Sequence, residues 1–187
     1  MGIPTLIKTL TASDSASLAF VGGASDVVLD NTYDEYMFVF TDIGPATDNI
    51  VFQFQGSIDG GSNYNVSVVT TAWESRQDET GTYASMAYAA GDDIAQGTSG
   101  IYLASGGVGN GADESTAGIL HVFQPWSTTY VKHFYSRTNE YYGQGTQYTK
   151  EFYGAGYFND ADDDINAFSF YMSSGNFDGV IQLYGIA

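Results

Sequence analysis

Short apolar runs rich in Val, Ile, Phe and Tyr recur along the chain, and Gly, Asp, Asn or Ser separate them. Runs of about five to nine residues closed by turn-forming residues are typical of β-strands, and helical periodicity is scarce. The pattern also indicates weaker strands near Val27 and Ile101. The stronger predicted strands are Ser15–Val21, Glu35–Ile43, Ile50–Ile58, Asn65–Ala72, Thr116–Gln124, Thr129–Arg137, Thr149–Tyr157, Ala167–Ser173 and Gly179–Gly185. So many short strands predict an all-β, antiparallel β-sandwich.

Two of these strands differ in how polar and apolar residues alternate. In Ile50–Ile58 the aromatic residues have one parity and Gln53 and Gln55 the other, which predicts one buried and one wet face. In contrast, every residue from Tyr36 to Phe40 is apolar. A strand of that kind is expected to be covered on both faces. A neighbouring subunit would supply such a cover, so the pattern favours a homo-oligomer.

Turn-forming residues predict two β-hairpins. The segment Asp59–Ser62 contains adjacent glycines, which accept the positive φ angles of a tight connection. It is expected to join the strand ending at Ile58 to the strand beginning at Asn65. The second hairpin is predicted at Pro125–Thr128, because proline presets φ in a turn and cannot donate to a continuing ladder.

The segment Thr80–Asp113 is the least strand-like part of the chain, being rich in glycine and small polar residues. It is expected to form long surface loops, with a short helix considered at Tyr83–Ala90. Residues 1–187 are therefore interpreted as a single domain with long loops around 80–113. No apolar run is long enough for a membrane helix, and the first eight residues lack a secretory signal pattern.

Charge narrows the range of partners. The chain has 22 Asp and Glu but only 5 Lys and Arg, which gives a formal net charge of −17. Such a surface repels phosphate backbones, so nucleic acid is not expected as a partner. It also suits salty surroundings, where self-repulsion is screened. The chain has no Cys, so its stability owes nothing to disulfides.

Candidate catalytic chemistry is sparse. The two histidines have no obvious acidic partner, the Gly-x-Ser-x-Gly nucleophile motif is absent, and no two carboxylates are placed across a cleft by the sequence. The glycine-rich stretch Ser105–Gly109 lacks the following lysine of a phosphate-binding loop. The sequence therefore predicts that the protein is not an enzyme, and a secreted hydrolase is only a third alternative.

The two histidines raise one metal hypothesis. If the second hairpin is centred on Ser127, His121 and His133 lie directly opposite each other across it. Two imidazoles can contribute to a transition-metal site, but a third ligand would have to come from elsewhere. The favoured interpretation is that both histidines fill a semi-buried sheet face, because Ile119 and Tyr135 have the same parity.

A second metal hypothesis concerns an acidic segment between two predicted strands. Carboxylate oxygens at short spacing suit calcium, although the segment lacks the glycine and glutamate of an EF-hand loop. The favoured interpretation is a solvated turn, and no cofactor is expected. The acidic residues are Asp160, Asp162, Asp163 and Asp164.

Aromatic side chains near predicted loops are the candidates for a binding surface, because such rings stack on sugars and anchor protein interfaces. Trp126 stands out, since a large ring at a tight turn either folds back onto its own sheet or meets a partner. Both alternatives stay open. The candidates are Trp73, Trp126, Tyr130, Tyr141, Tyr142 and Tyr148.

Several blocks distributed over nearly the full length are similar to a family of small virion proteins of marine tailed bacteriophages. The carriers are Ile7–Ser13, Pro45–Asn49, Gly56–Val66, Gly109–Ser115, Ser127–Phe134, Met172–Gly179 and Leu183–Ile186. The chain departs from the family pattern by a tryptophan, Trp126, at the predicted hairpin tip. No catalytic residue is carried over.

The resemblance implies a jelly-roll-like virion component that is made in the host cytoplasm and is repeated in a symmetric assembly. The leading expectation is a capsid decoration or cement protein that binds the major capsid protein without covalent chemistry. A homo-oligomer is expected, with a trimer suggested by analogy of fold. The alternative is a tail-fibre or receptor-binding head that recognises a host surface glycan with Trp73 or Trp126.

Overall fold

The computed structural model of the protein describes residues 2–142 and 147–187. Within these ranges the chain forms thirteen β-strands and no helix. The strands are β1 Thr5–Ser15, β2 Ser17–Val21, β3 Glu35–Pro45, β4 Phe52–Ser57, β5 Val68–Asp78, β6 Ala84–Tyr88, β7 Ala95–Gly97, β8 Ile101–Tyr102, β9 Thr116–Phe123, β10 Lys132–Tyr142, β11 Tyr148–Phe158, β12 Ala167–Met172 and β13 Phe177–Ile186.

The strands form two antiparallel sheets. The large sheet has the order β1-β13-β3-β9-β10-β11-β5-β6, with β7 also paired to β5, and the small sheet has the order β2-β12-β4-β8. Eight strands make two four-stranded halves, β1-β13-β3-β9 and β2-β12-β4-β8. Counted along the chain, these halves have the order 1-8-3-6 and 2-7-4-5, which is the strand order of a jelly roll. The expected all-β, jelly-roll-like sandwich is confirmed.

Two insertions extend the jelly roll on one side only. The β10–β11 hairpin continues the large sheet beyond β9, and β5 with β6 and β7 continues it further. Phe134 of β10 and Phe158 of β11 still pack against Phe54 of the small sheet. Farther along these two strands, the segment after β8 covers the inner side, where the carbonyl oxygens of Leu103 and Ser105 accept hydrogen bonds from Thr138 and Lys150. The result is a long sheet with one face turned away from the rest of the molecule.

The core between the sheets is built mainly from phenylalanine. Phe170 on β12 lies at its centre, and its ring centroid is 4.9 Å from that of Phe38 and 5.4 Å from that of Phe40. The rings of Phe20, Phe52 and Phe54 also lie within 6.3 Å of it. Edge and tilted ring contacts of this kind add to the free energy of apolar burial.

Both predicted turns exist, but only one makes a hairpin. Gly60 and Gly61 adopt φ angles of 70° and 83°, so the turn at 59–62 is confirmed. It does not join two paired strands, because β4 lies in the small sheet and β5 in the large sheet. The second prediction is confirmed, since β9 and β10 pair directly on either side of Pro125–Thr128.

The segment 80–113 is more ordered than predicted. It contains β6, β7 and β8, and the short helix considered at 83–90 is instead the edge strand β6. A strand is favoured here because residues 84–88 pair in register with Gln77–Trp73 of β5. Between β8 and β9, Leu103 and Val108 are buried, so this glycine-rich stretch is also part of the core.

The prediction of a wet face on β4 is wrong. Both parities of the strand are buried, including Gln53 and Gln55. The Gln55 side-chain amide donates to the carbonyl oxygens of Thr98 (3.2 Å) and Ser99 (3.0 Å). The loop before β8 therefore covers the polar face of the small sheet and satisfies its hydrogen bonds, a contact that alternation within one strand cannot predict.

Two of the differences between predicted and observed strands have clear physical reasons. The edge strand β1 was not predicted, because Thr5–Ser15 has exposed residues of mixed polarity along most of its length. The predicted strand Asn65–Ala72 lies instead at Val68–Asp78, and it continues through Glu74 and Arg76 because these charged groups are held on its inner side. No helix of the described chain is long and apolar enough to cross a membrane.

Candidate functional site

The face of the large sheet that turns away from the small sheet carries an unusual number of aromatic side chains. Along β10 every second residue from Lys132 to Glu140 is buried, and the residues between them are exposed. We call the exposed side of the sheet the outer face. On β3, β9, β10, β11, β5 and β6 it is formed by Met37, Val39, Ile119, His121, Phe123, His133, Tyr135, Arg137, Tyr153, Ala155, Tyr157, Val69, Thr71, Trp73, Met86 and Tyr88.

One row of side chains crosses six neighbouring strands of the outer face. Strand register places its members directly opposite one another, each beside the next. Directly opposed side chains in a sheet have Cβ atoms about 5 Å apart, so the row is continuous. Its members are Val39, Ile119, Arg137, Tyr153, Trp73 and Tyr88.

Trp73 lies near one end of this row, beside Tyr88. Its ring stacks on that of Tyr153 with centroids 3.8 Å apart and an interplanar angle of 5°. The Arg137 guanidinium lies 5.3 Å from the centroid of the Tyr153 ring and forms an ion pair with Glu151. Trp73 keeps 38% of its surface exposed. A rigid aromatic pair fixed by a cation on one side is a suitable anchor for a partner.

The histidines belong to the outer face but do not form a pair. The register places Tyr135, and not His133, opposite His121. The His121 ring stacks on Tyr135 with centroids 4.7 Å apart, and its Nδ1 contacts Glu35. His133 instead packs edge-on against Tyr157. The prediction that they lie directly opposite is therefore wrong, whereas both residues do line one sheet face.

A row of three adjoining depressions lies along the outer face. Its first part, about 560 Å³, lies beside Tyr130, Phe123 and His133. The second part, about 410 Å³, shares Phe123 and His133 with the first and has Ala155 as its floor. The third part, about 160 Å³, shares Ala155 with the second and ends at Trp73. We call these three parts together the aromatic groove. Small residues under large rings create its depth.

The outer face carries few charges in a strongly acidic protein. At its margin Glu35 contacts His121, and Glu151 forms an ion pair with Arg137. Asp34 lines the first part of the aromatic groove, and the Tyr88 hydroxyl donates to the Asp93 carboxylate at 2.5 Å. Of the five Lys and Arg residues, all of which lie in the described chain, Arg137 is the one that is exposed. The remaining acidic residues lie mostly in loops and along other edges. An acidic partner would therefore be repelled by the molecule as a whole, and an apolar or aromatic one would fit this face.

Within the acidic loop at 160–164, the loop backbone binds a lysine of the protein itself. The ammonium of the buried Lys132 donates to the carbonyl oxygens of Asp160 (2.5 Å) and Asp163. The Asp163 amide donates to the Asp160 carboxylate at 3.2 Å. Among the described residues no three His, Asp or Glu side chains are placed to hold a metal ion together. Neither metal hypothesis, including that for Asp162 and Asp164, gains support.

The other aromatic candidates lie in three different places in the structure. Trp126 folds back onto the protein, since its indole N–H donates to the Tyr33 carbonyl oxygen at 3.0 Å and its ring packs against the core. Tyr130 is 69% exposed and lies at one end of the aromatic groove. By contrast, Tyr141, Tyr142 and Tyr148 lie at the tip of the β10–β11 hairpin, away from the groove, where the last two rings pack at 5.6 Å.

The sequence-based candidates did not include most of the groove. Aromatic residues near predicted loops do not include Tyr135, Tyr153, Tyr157 and Phe123, because each of these lies within a strand. The alternation of Lys132–Tyr142 does contain the signal, since its exposed positions include a histidine, a tyrosine and an arginine. Recognising them would have required knowledge of which face meets the small sheet.

A second polar cluster lies on the inner side of the extended sheet. Glu140 and Lys150 are directly opposed in register, form an ion pair and are almost fully buried. Glu74 and Arg76 form another ion pair nearby. Burial raises the pKa of the neighbouring Asp92. The Lys150 ammonium also donates to the carbonyl oxygen of Ser105, so the cluster fastens the loop before β9 to the sheet.

Comparison of the chain with protein-family models, with curated proteins and with solved structures finds no match.

Proposed function

We propose that this protein is a structural protein of a bacteriophage virion, a decoration protein that binds the major capsid protein through its outer face. It acts by adding non-covalent contact area to the shell. Its place of synthesis is the host cytoplasm and its final location is the virion. The observation that carries the proposal is the aromatic groove, a row of adjoining and mostly apolar depressions on a strongly acidic protein.

The exposed rings of the groove support binding by contact. Tyr135 is 44% and Trp73 38% exposed, although both lie in the middle of a rigid sheet. Half-exposed Tyr and Trp side chains on a rigid element lose little conformational entropy on binding and are enriched at interface hot spots. The flat face is also large enough for a protein partner, because it crosses six strands.

The fold and the charge agree with this role. Jelly rolls are common in viral capsid domains and also in lectins, so the topology supports the proposal as an analogy of fold. A charge of −17 keeps an abundant surface protein soluble and excludes contact with the packaged nucleic acid. The sequence resemblance to phage virion proteins points the same way.

The test is binding of the purified protein to capsids that lack it. We expect Tyr135→Ala to weaken binding at least about 30-fold, since loss of an interface hot spot costs about 2 kcal/mol or more. The matched control is Tyr83→Ala, because Tyr83 is 47% exposed but lies outside the aromatic groove. Bound protein should also raise the temperature at which the capsid disrupts. Absence of binding to capsids would refute the proposal.

A reconstruction of the virion by electron cryo-microscopy locates the protein directly. Copies distributed over the capsid lattice, with the outer face against the shell, would support the decoration role. A few copies at the tail or on fibres would refute it and favour the second candidate.

The second candidate is a receptor-binding head that recognises a host surface glycan. The observation that favours it is the stacked pair of Trp73 and Tyr153 at one end of the groove, because aromatic walls beside a depression suit a sugar ring. Trp126, the other ring considered for this role, faces inward. Binding to host cells or to a glycan array that Trp73→Ala abolishes would support a head, whereas a decoration protein is expected to ignore glycans.

A further inference from the structure

The two edges of the large sheet are protected very differently. At one edge, β1 carries Lys8 and two register shifts in its pairing with β13. Charged residues and bulges are the usual means by which proteins prevent edge strands from pairing with other chains. At the other edge, β6 pairs with β5 over five consecutive residues without a register shift, and it contains neither a charge nor a proline.

The chain segment that contains β6 is also uncharged, although the Tyr88 hydroxyl donates to the carboxylate of Asp93, outside this segment, at 2.5 Å. No Asp, Glu, Lys or Arg occurs from Thr80 to Gly91, although the chain as a whole carries a charge of −17. The side chains of this strand are accessible, with Met86 at 73% and Tyr88 at 56% exposure. An open, apolar and unguarded edge strand is a template for pairing with another strand.

Hydrogen bonds at both ends of β6 show which of its backbone groups are open. The Asp78 amide donates to the Tyr83 carbonyl oxygen (3.0 Å), and the Ala89 amide donates to the Ala72 carbonyl oxygen (2.9 Å). Residues alternate in an antiparallel ladder, so Ser85 and Ala87 also direct their backbone groups toward β5. The N–H and C=O groups of the residues between them therefore point away from the sheet. These residues are Ala84, Met86 and Tyr88.

We propose that β6 is a dimerisation edge, at which it pairs antiparallel with β6 of a second copy of this chain. The two-fold axis passes through Met86. In this register Met86 meets Met86 of the other copy, and Ala84 of each copy lies opposite Tyr88 of the other. All three open residues then form hydrogen-bonded pairs, each of which exchanges two N–H···O bonds.

Side-chain size and charge favour a second copy as the occupant. A small residue opposite a large one at both ends of the pairing lets Tyr88 extend over Ala84 without a clash. Two chains that each have a formal net charge of −17 repel each other, so they approach most easily through an uncharged edge strand. Glu79, Asp92 and Asp93 flank β6, and screening by salt will therefore strengthen the dimer instead of weakening it.

Such a dimer has a consequence for the outer face. The row that ends at Trp73 and Tyr88 continues onto the second copy, so two aromatic grooves lie on one extended sheet. A two-fold, isologous contact also gives a dimer and not the trimer that analogy of fold suggested. Two linked grooves would increase the avidity of docking, but the pairing itself does not depend on what the groove binds.

Sedimentation equilibrium of the full chain tests the dimer. We expect the wild type to dimerise, more tightly at about 0.5 M than at about 0.05 M NaCl, since the Debye length falls from above 10 Å to a few Å. Met86→Lys is expected to weaken dimerisation at least about 10-fold. The matched control is Ile3→Lys, which adds the same charge at a residue that is 89% exposed, before β1. The control should dimerise as well as the wild type.

Two results would overturn the proposal. One is a wild-type protein that remains monomeric up to a protein concentration of about 1 mM. Its free energy of dimerisation would then be weaker than about 4 kcal/mol. The other is equal dimerisation of wild type and Met86→Lys. Because Met86 is exposed, its replacement should not unfold the chain, and circular dichroism checks this.

Amide exchange by nuclear magnetic resonance provides an independent test. In a dimer the amides of Ala84, Met86 and Tyr88 should become protected as the protein concentration rises, whereas those of Ser85 and Ala87 should be protected at all concentrations. Met86→Pro removes one outward N–H without removing a bond to β5, and it should abolish the concentration dependence. Uniform fast exchange of the three outward amides at high concentration would contradict the pairing.

Discussion

The buried ion pair between Glu140 and Lys150 allows a quantitative test of how the extended sheet is held. Their side chains are 2% and 3% exposed, and they lie directly opposite each other on β10 and β11. Among the described residues no hydrogen bond reaches either carboxylate oxygen of Glu140, so the Lys150 ammonium is its main compensation. Burial, with a further contribution from the nearby Arg76, lowers the pKa of Lys150 to about 8, so its ammonium form still predominates at pH 7.

The expected cost follows from the desolvation of an unpaired charge. Lys150→Met leaves Glu140 as a buried, uncompensated carboxylate, which costs about 3–5 kcal/mol of unfolding free energy. Glu140→Leu leaves the ammonium unpaired and should cost a similar amount. The double variant replaces both charges by apolar groups of similar volume. Its remaining loss should be about 1–3 kcal/mol, because the buried Ser105 carbonyl oxygen loses the hydrogen bond from Lys150. The double-mutant cycle therefore gives a coupling free energy above about 3 kcal/mol.

Equilibrium unfolding in urea, followed by tryptophan fluorescence, measures all four proteins at pH 7. Trp126 lies in the β9–β10 turn and packs against the core, and Trp73 lies on β5 of the extended sheet, so the two side chains report on both parts of the fold. Equal m-values across the set are needed for the comparison. If the loss of unfolding free energy in the double variant equals the sum of the losses in the two single variants, the two charges do not stabilise each other. That result would refute the argument.

Two further results are expected. The side-chain and backbone N–H groups of Asn63, with the Ser57 hydroxyl, lower the pKa of Asp59 to about 2 from its ordinary 3.8. The ionised Asp59 therefore stabilises the fold above about pH 4, and this contribution is lost as the pH falls through about 2. Asp59→Asn should remove this pH dependence of the urea midpoint. An unchanged dependence of the midpoint on pH would contradict the assignment to Asp59. Phe170→Ala should lower the unfolding free energy by about 3–5 kcal/mol in the same assay, because the ring contacts five other phenylalanine rings at the centre of the core. A loss below about 1 kcal/mol would show that the ring is not central to the core.

The binding surface could be predicted only in part. The sequence singled out Trp73 and Tyr130, which lie in the groove, and Trp126, which does not. A hairpin shorter by two residues than the real one also placed His133 opposite His121, a position that Tyr135 occupies. The length of a turn sets the register of every pair that follows it, so a small error there changes all cross-strand neighbours.

The sequence by itself determined most of the longer strands, because alternation, β-branched and aromatic residues and turn-forming glycines act locally. It thereby determined the fold class, the hairpin at Pro125–Thr128 and the acidic character of the surface. Only the tertiary structure decided which strands pair. It alone assigned β4 and β5 to different sheets, covered Gln55 with a distant loop and gathered aromatic residues from β5, β9, β10 and β11 into one groove. The physical reason is that such contacts join residues far apart in the chain. Their free energy depends on which faces meet, and a single strand carries no information about its partner.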